Sequence, residues 1–386
     1  MQKMKSTFTA ILFNGFLIAV FLISGGCTKH IKVNTASSNV SSVKNIILLI
    51  GDGMGLPQIN LARIKVHGAG GSLNIDKMPV VGLLKTHAAD KLITDSAAAA
   101  TALACGVKTR NGVISRTPDG KNAMTILEAA RDKGLSTGLV ATSTITHATP
   151  AVFAAHVESR RQHAEIAVQM IAAKVNILLG GGKAYFLPKS NPASKRTDDR
   201  NLLAEAQANG YKFVEIREQL GSAQSKYLLG LFQNNALTTH PPEPSLAEMT
   251  HKALNLLNRN PKGFFLMVEG SQIDWRSHDQ NAEGSVEQML LFDEAIKVAR
   301  KFAEKNQNTL VLITADHETG GLTLTGGSLD GEELQTSWST GGHTAVDVPI
   351  FAFGPHAEWF TGVYENTEVA KKMAALLNVQ PLPKLN

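Results

Sequence analysis

Six residues of this chain combine carboxylate and imidazole donors in a pattern that suits divalent cations: Asp52, Asp274, His278, Asp316, His317 and His343. Asp274 and His278 are four apart, which on a helical turn puts carboxylate and imidazole on one face. Asp316 and His317 are adjacent in Ala315-Asp316-His317-Glu318, and His343 closes the Gly-rich stretch Ser339-Thr340-Gly341-Gly342-His343. Asp52 stands among glycines in Gly51-Asp52-Gly53-Met54-Gly55, where the backbone can turn sharply around a ligand. Glu269 adds a carboxylate just ahead of Asp274 that could serve a neighbouring site. Each residue also has an ordinary reading, since a Gly-rich turn with an Asp is common and a lone His is more often structural. Three Asp and three His, each after or beside a strand pattern, are much harder to assign to chance. Mixed nitrogen and oxygen donors without Cys favour zinc, with a hard, oxygen-liganded magnesium beside it.

A nucleophile candidate lies in Thr94-Asp95-Ser96, directly ahead of the helix-forming run at 97–104. Ser96 therefore falls at or near a helix N-terminus, where free N–H groups and the dipole favour an anion. The plain alternative is an N-cap serine with no chemical duty.

These residues need elements that bring them together. Residues 46–50, 137–142, 175–179, 264–268, 310–314 and 349–353 are short apolar runs suited to strands buried on both faces. Helical patterns fall between them at 125–133, 162–174, 246–258, 286–304 and 368–377. The third opens with Ser245-Leu246-Ala247-Glu248, a capping-box pattern. Alternation of this kind predicts one α/β domain with a largely parallel central sheet. In such sheets chemistry gathers at the carboxyl ends of strands. Asp52 follows the first run, Glu269 and Asp274 the fourth, and Asp316 and His317 the fifth, whereas His343 precedes the last. Residues 189–200 and 234–244 read as polar surface connections.

With 386 residues, 43% hydrophobic and 18% charged, the chain can bury a sizeable core and is unlike disordered, collagen-like or coiled-coil sequences. Its formal charge is +5. No dense Lys/Arg run appears, which speaks against a dedicated nucleic-acid binder. Lys3 and Lys5, the apolar stretch 8–23 and Ser24-Gly25-Gly26-Cys27 make an export signal over residues 1–26. Asn14 and Gly15 interrupt the stretch, which argues against a permanent membrane span. Cys27 after Gly25-Gly26 resembles a bacterial lipoprotein acceptor, although Ser24 stands where Leu is usual, so plain secretion is the other outcome. Residues 27–44 read as a tether. Cys105, the other cysteine, sits in an Ala-rich segment as a small buried hydrophobe, and no disulfide framework is expected.

Seven blocks, GDGMG (51–55), TDSAAAATA (94–102), THATP (146–150), HVESR (156–160), EGSQIDWRSH (269–278), TADHETGG (314–321) and STGGH (339–343), resemble the alkaline phosphatase family in the same order. The resemblance runs over residues 45–377 and implies an alkaline-phosphatase-like catalytic domain at 45–386, its sheet flanked by helices on both faces. It implies a hydrolase of small phosphate monoesters, exported to the periplasm or membrane-anchored, and often a homodimer. It implies two zinc ions and one magnesium. The first zinc would take Asp274, His278 and His343, the second Asp52, Asp316 and His317. Magnesium would share Asp52 and add Thr149 and Glu269. Ser96 matches the nucleophile and Arg160 the phosphate-clamping arginine, with Arg161 its solvated neighbour.

Two positions depart from the best-known bacterial pattern: His147 stands where Asp is usual and Trp275 where Lys is usual. Both bear on how tightly magnesium and phosphate are held, not on the reaction type. Sulfatase relatives need Pro two residues after the nucleophile, and Ser96 is followed by Ala97 and Ala98. Phosphodiesterase relatives usually carry a Thr nucleophile and lack the third metal. A silent metal-binding surface lipoprotein would be expected to have lost ligands, and none is lost here.

Overall fold

The computed structural model describes residues 42–385; the expected leader, Cys27 and most of the tether lie outside the described residues. In chain order the strands are β1 (Asn45–Gly51), β2 (Val80–Lys85), β3 (Ser136–Thr144), β4 (Ile177–Gly181), β5 (Lys212–Val214), β6 (Leu228–Leu231), β7 (Phe264–Gly270) and β8 (Thr309–Thr314). There follow β9 (Glu318–Thr319), β10 (Leu322–Gly326), β11 (Gln335–Trp338), β12 (His343–Thr344), β13 (Val348–Phe353) and β14 (Gly362–Glu365). Ten of them make one sheet in the order β14-β2-β13-β8-β1-β7-β3-β4-β6-β5. Neighbours are parallel throughout, except that β13 runs against both β8 and β2.

The centre is built from β1, β7 and β8, in which every residue is buried. Continuous apolar runs of this kind are stable only when helices cover both faces. The Leu246–Leu257 helix packs on β3 and β7, and the Ala282–Lys305 helix on β1, β7 and β8. The Ser245 capping box forms as expected, with Glu248 reaching back to the Ser245 N–H. Thr125 and Glu128 form a second one. Among the described residues no helix is long and apolar enough to cross a membrane.

All six expected strands form, but the long helix begins four residues early, at Ala282. The helices Leu56–His67, Leu202–Ala208 and Arg217–Ser222 and strands β2, β5, β6 and β14 were not foreseen. The 189–200 connection is not wholly a surface feature either. Arg196 is buried, forked onto Asp198 with Nε and Nη2 each 2.7 Å from a carboxylate oxygen.

The reversal of β13 matters for the site. Ile350, near its start, pairs with Thr314, the last residue of β8. The start of β13 therefore lies at the edge where β8 and the strands parallel to it end. That is how His343, which precedes a strand, joins ligands that follow strands.

Candidate metal centre and nucleophile

Three imidazoles converge at the carboxyl edge, each with one nitrogen occupied by the protein. His278 Nδ1 lies 2.7 Å from the Gly341 carbonyl and His343 Nδ1 2.8 Å from the Thr94 carbonyl. A carbonyl only accepts, so both rings carry their proton on Nδ1 there and turn Nε2 inward. Thr319 does the same for His317. Its hydroxyl donates to Asp274 Oδ1 at 2.5 Å, leaving its oxygen to accept from His317 Nδ1 at 3.2 Å. Thr319 reaches this position because β9 pairs antiparallel with β12, placing His343 opposite it.

The inward nitrogens face carboxylates. Asp274 Oδ1 is 3.3 Å from His278 Nε2 and 3.5 Å from His343 Nε2, and those two nitrogens are 3.2 Å apart. His317 Nε2 is 3.2 Å from Asp316 Oδ2 and 3.5 Å from Asp52 Oδ1, all three side chains being fully buried. Ligand atoms of Asp274, His317 and His343, of Asp52, Asp316 and His317, and of Asp52, His147 and Glu269 lie mutually within 4.8 Å. His278 is more exposed than the rest, so the first cluster opens to solvent.

The residues fit metal ions. Both carboxylate oxygens of Asp52, Asp316 Oδ2, Glu269 Oε1 and Thr149 Oγ1 are buried with no hydrogen-bond partner. Orphaned buried acceptors are costly, and a divalent cation satisfies several at once. Without one, burial holds Asp52 well above the usual carboxylate value, and the charges of Asp316, Asp274 and Glu269 add to the effect. Burial likewise pushes Glu269 up to about 7 against the hydrogen bonds of Ser271 and Ser143. Asp274 goes the other way: burial opposes its charge, but His278 and the nearby imidazoles hold it below the usual carboxylate range. In return Asp274 raises His278 to about 9, so a cation binding there must displace a proton.

Ser96 is the first residue of the Ser96–Cys105 helix, and Asp95 is its N-cap, accepting from the Ala98 N–H at 3.0 Å. Ser96 is thus not itself the cap. Its hydroxyl is buried and 3.4 Å from His317 Nε2, beside the Asp52 cluster. Arg160 lies across the same mouth, with Nη1 3.1 Å from Asp95 Oδ2 and Nη2 3.2 Å from His147 Nε2. Arg161 is exposed. Trp275 meets His147 edge-on, with ring centroids 6.0 Å apart. Burial first, and the Arg160 charge next, lower His147 to about 3. Cys105 is buried and its thiol is pushed up to about 12 by that burial, as befits an inert core residue.

All the expected site residues meet at this edge. Sequence reasoning missed four supporting ones. Thr319 orients His317 and Asp274 together, Asp95 both caps the Ser96 helix and holds Arg160, and Ser271 with Ser143 binds one oxygen of Glu269. Only Asp95 left a signal, as an Asp directly ahead of a helix-forming run.

The alkaline phosphatase family model matches residues 43–336 and 331–379. Alkaline phosphatase 4 of Bacillus subtilis is 34% identical, the alignment covering 97% of this chain and 98% of that protein. Alkaline phosphatase of Escherichia coli is 36% identical, with 87% and 86% covered. The solved structure of alkaline phosphatase from the Antarctic bacterium TAB5 superposes with a TM-score of 0.80 at 36% identity, covering 88% of this chain and 99% of that one.

Proposed function

The chain belongs to the alkaline phosphatase family, a phosphate monoester hydrolase that binds divalent metal, and from that premise we propose that it works through a phosphoserine on Ser96 with two zinc ions and one magnesium. Asp274, His278 and His343 would hold the first zinc, Asp52, Asp316 and His317 the second, and Asp52, Thr149 and Glu269 the magnesium. When bound, these cations supply positive charge against the phosphoryl oxygens and make coordinated hydroxyls more acidic.

Arg160 grips two phosphoryl oxygens as a fork and sets phosphorus in line with Ser96. Ser96 Oγ gives its proton to water in the site and bonds to phosphorus while the ester P–O bond breaks, and the departing alkoxide takes a proton from water and leaves as the alcohol. Water then attacks the phosphoserine, the Oγ–P bond breaks, and Ser96 and inorganic phosphate are restored. His147 offers its remaining N–H toward the magnesium ligands and orients water there. Asp95 keeps Arg160 aimed throughout.

The observation that supports this reading is the Ser96 hydroxyl 3.4 Å from His317 Nε2, beside carboxylate oxygens of Asp52 and Asp316 that have no other partner. The test is to quench turnover of a labelled monoester at mildly acid pH and map the label. Phosphate on Ser96, with a monoester hydrolysed much faster than a diester, is the expected result. Label on another residue, or preference for the diester, would reject the mechanism or the substrate class respectively.

We also infer export: removal of residues 1–26, acylation of Cys27 and residence in the periplasm or on a membrane facing it. The charged, apolar and small-residue segments of the leader support this.

A further inference from the structure

We propose that the amino-end edge of the sheet, opposite the metal centre, docks on an anionic phospholipid surface. The connections entering β1, β4, β6 and β7 carry Lys44, Lys174, Lys226, Arg259 and Lys262, and β5 itself begins with Lys212. Those connections and the one entering β5 contain no Asp or Glu. All six cations are exposed, and among the described residues none takes part in an ion pair. They are neighbours in space. Lys226, Arg259 and Lys262 line one open cleft of about 500 Å³ that no carboxylate lines. The ammonium groups of Lys226 and Lys174 lie 5.4 and 5.9 Å from the Tyr227 ring centroid. The Lys212 N–H donates to the Tyr227 carbonyl, and the Lys44 carbonyl packs against Gly263, beside Lys262.

No dense run in the sequence betrays this patch, because its six cations are spread over the starts of five different strands. Parallel strands gather those entries at one end, as they gather Asp52, Glu269, Asp274 and Asp316 at the other. The two ends lie roughly 20 Å apart, the length of a strand of five to seven residues. A negatively charged surface attracts the basic end.

Two observations select a membrane from other polyanions. The described chain enters at this edge, with the Lys44 N–H bonded to the Asn308 carbonyl and β1 starting at Asn45, so the segment that begins at the proposed acylation site Cys27 joins the body here. The cleft also mixes its cations with the apolar Leu256, Leu257 and Pro261, and half-buried Tyr227 stands alongside. Aromatic rings and lysines that keep their charge in water while their stems lie on apolar surface suit a headgroup layer. Docked this way, the metal centre would face away from the lipid.

The test is co-sedimentation of the full chain with vesicles of phosphatidylcholine alone and of phosphatidylcholine with phosphatidylglycerol. The same chain carrying Lys226→Gln, Arg259→Gln and Lys262→Gln is run beside it. We expect added binding on the anionic vesicles, lost at high salt, and reduced roughly a hundredfold in the triple variant, about fivefold per charge. Hydrolysis of a soluble monoester and the melting temperature should not change, and Lys226→Arg with Arg259→Lys and Lys262→Arg should bind like the parent. Equal binding to both vesicle types, or an unchanged triple variant, overturns the proposal. So does RNA displacing the protein from the vesicles, which would make a soluble polyanion the better occupant. Each comparison holds the leader constant, so the result does not depend on whether Cys27 is acylated.

Discussion

Arg160 donates from Nη2 to Nε2 of His147 across 3.2 Å. A guanidinium has no acceptor, so the ring is neutral and its proton sits on Nδ1, which is buried without a partner. The imidazole therefore presents a donor, not a lone pair, to the Asp52 and Glu269 side. A carboxylate in its place would add negative charge both to the proposed magnesium ligands and to Arg160.

Replacing the pair, His147→Asp with Trp275→Lys, should tighten magnesium by roughly tenfold and lower both the turnover number and the inhibition constant for phosphate. Slower release would then limit the rate. The two side chains touch, so the single variants should not sum to the double. Phosphate inhibition that stays at the parent value in the double variant would show that these residues do not govern release.

Substituting His343→Ala should remove one metal per chain and leave the second, because His343 pairs with Asp274 while Asp52, Asp316 and His317 form their own cluster. Chelation should abolish activity in the parent, and zinc with magnesium should restore it. Metal analysis of parent and variant, alongside rates, checks both statements. A fully active metal-free protein would refute the scheme.

Thr319 holds Asp274 and His317 at once, so Thr319→Val should loosen both proposed zinc clusters while leaving the chain folded. Zinc affinity should fall about tenfold to a hundredfold, with Thr319→Ser close to the parent. Titration against a competing chelator measures this, and an unaltered affinity in the valine variant would limit Thr319 to packing.

His156 and Glu128 form a mostly buried pair, Nε2 to Oε1 3.0 Å. Burial opposes the His156 charge, but Glu128 outweighs it and raises His156 above its ordinary 6.5. That stabilisation is complete below 6.5 and drains away as pH climbs through the raised value. Glu128 is lowered below 4.5, because His156 and the Thr125 N–H overcome its burial, so its share vanishes only as pH falls through that lowered value. His156→Gln should therefore cost about 1–2 kcal/mol near pH 6 and much less under alkaline conditions. Denaturant unfolding at the two pH values compares them, and an equal loss at both would remove the ion pair from the explanation.

Mass analysis of protein recovered from expressing cells should show the first 26 residues gone and an acyl group on Cys27. A free N-terminus a few residues away means plain secretion, and an intact Met1 rules out export.

The centre of the fold was readable because β1, β7 and β8 are buried along their whole length, so burial and apolar run coincide. The outer strands were not. β2 mixes buried, half-buried and exposed residues, β14 lies at the edge, β5 has only three residues, and Gly230 breaks the short run of β6. Site residues followed strand ends, so one rule located most of them. Thr319 escaped because a hydroxyl beside a His carries no periodic or compositional mark, and the basic edge escaped because its cations are spread over five strand starts between Lys44 and Lys262.

The place of β2 in the sheet sets an order of assembly. Its only neighbours are β13 and β14, the last two strands of the chain, although β2 itself is second in sequence. While the chain emerges from its N-terminus, β2 has no ladder to join until residues beyond Val348 arrive, and β12 and His343 are placed just before that. Pairing over so long a separation is slow, because the loop must close before the contact rewards it. A chain stopped before β12 would thus keep an unpaired strand and lack His343 from its metal site, open to proteolysis.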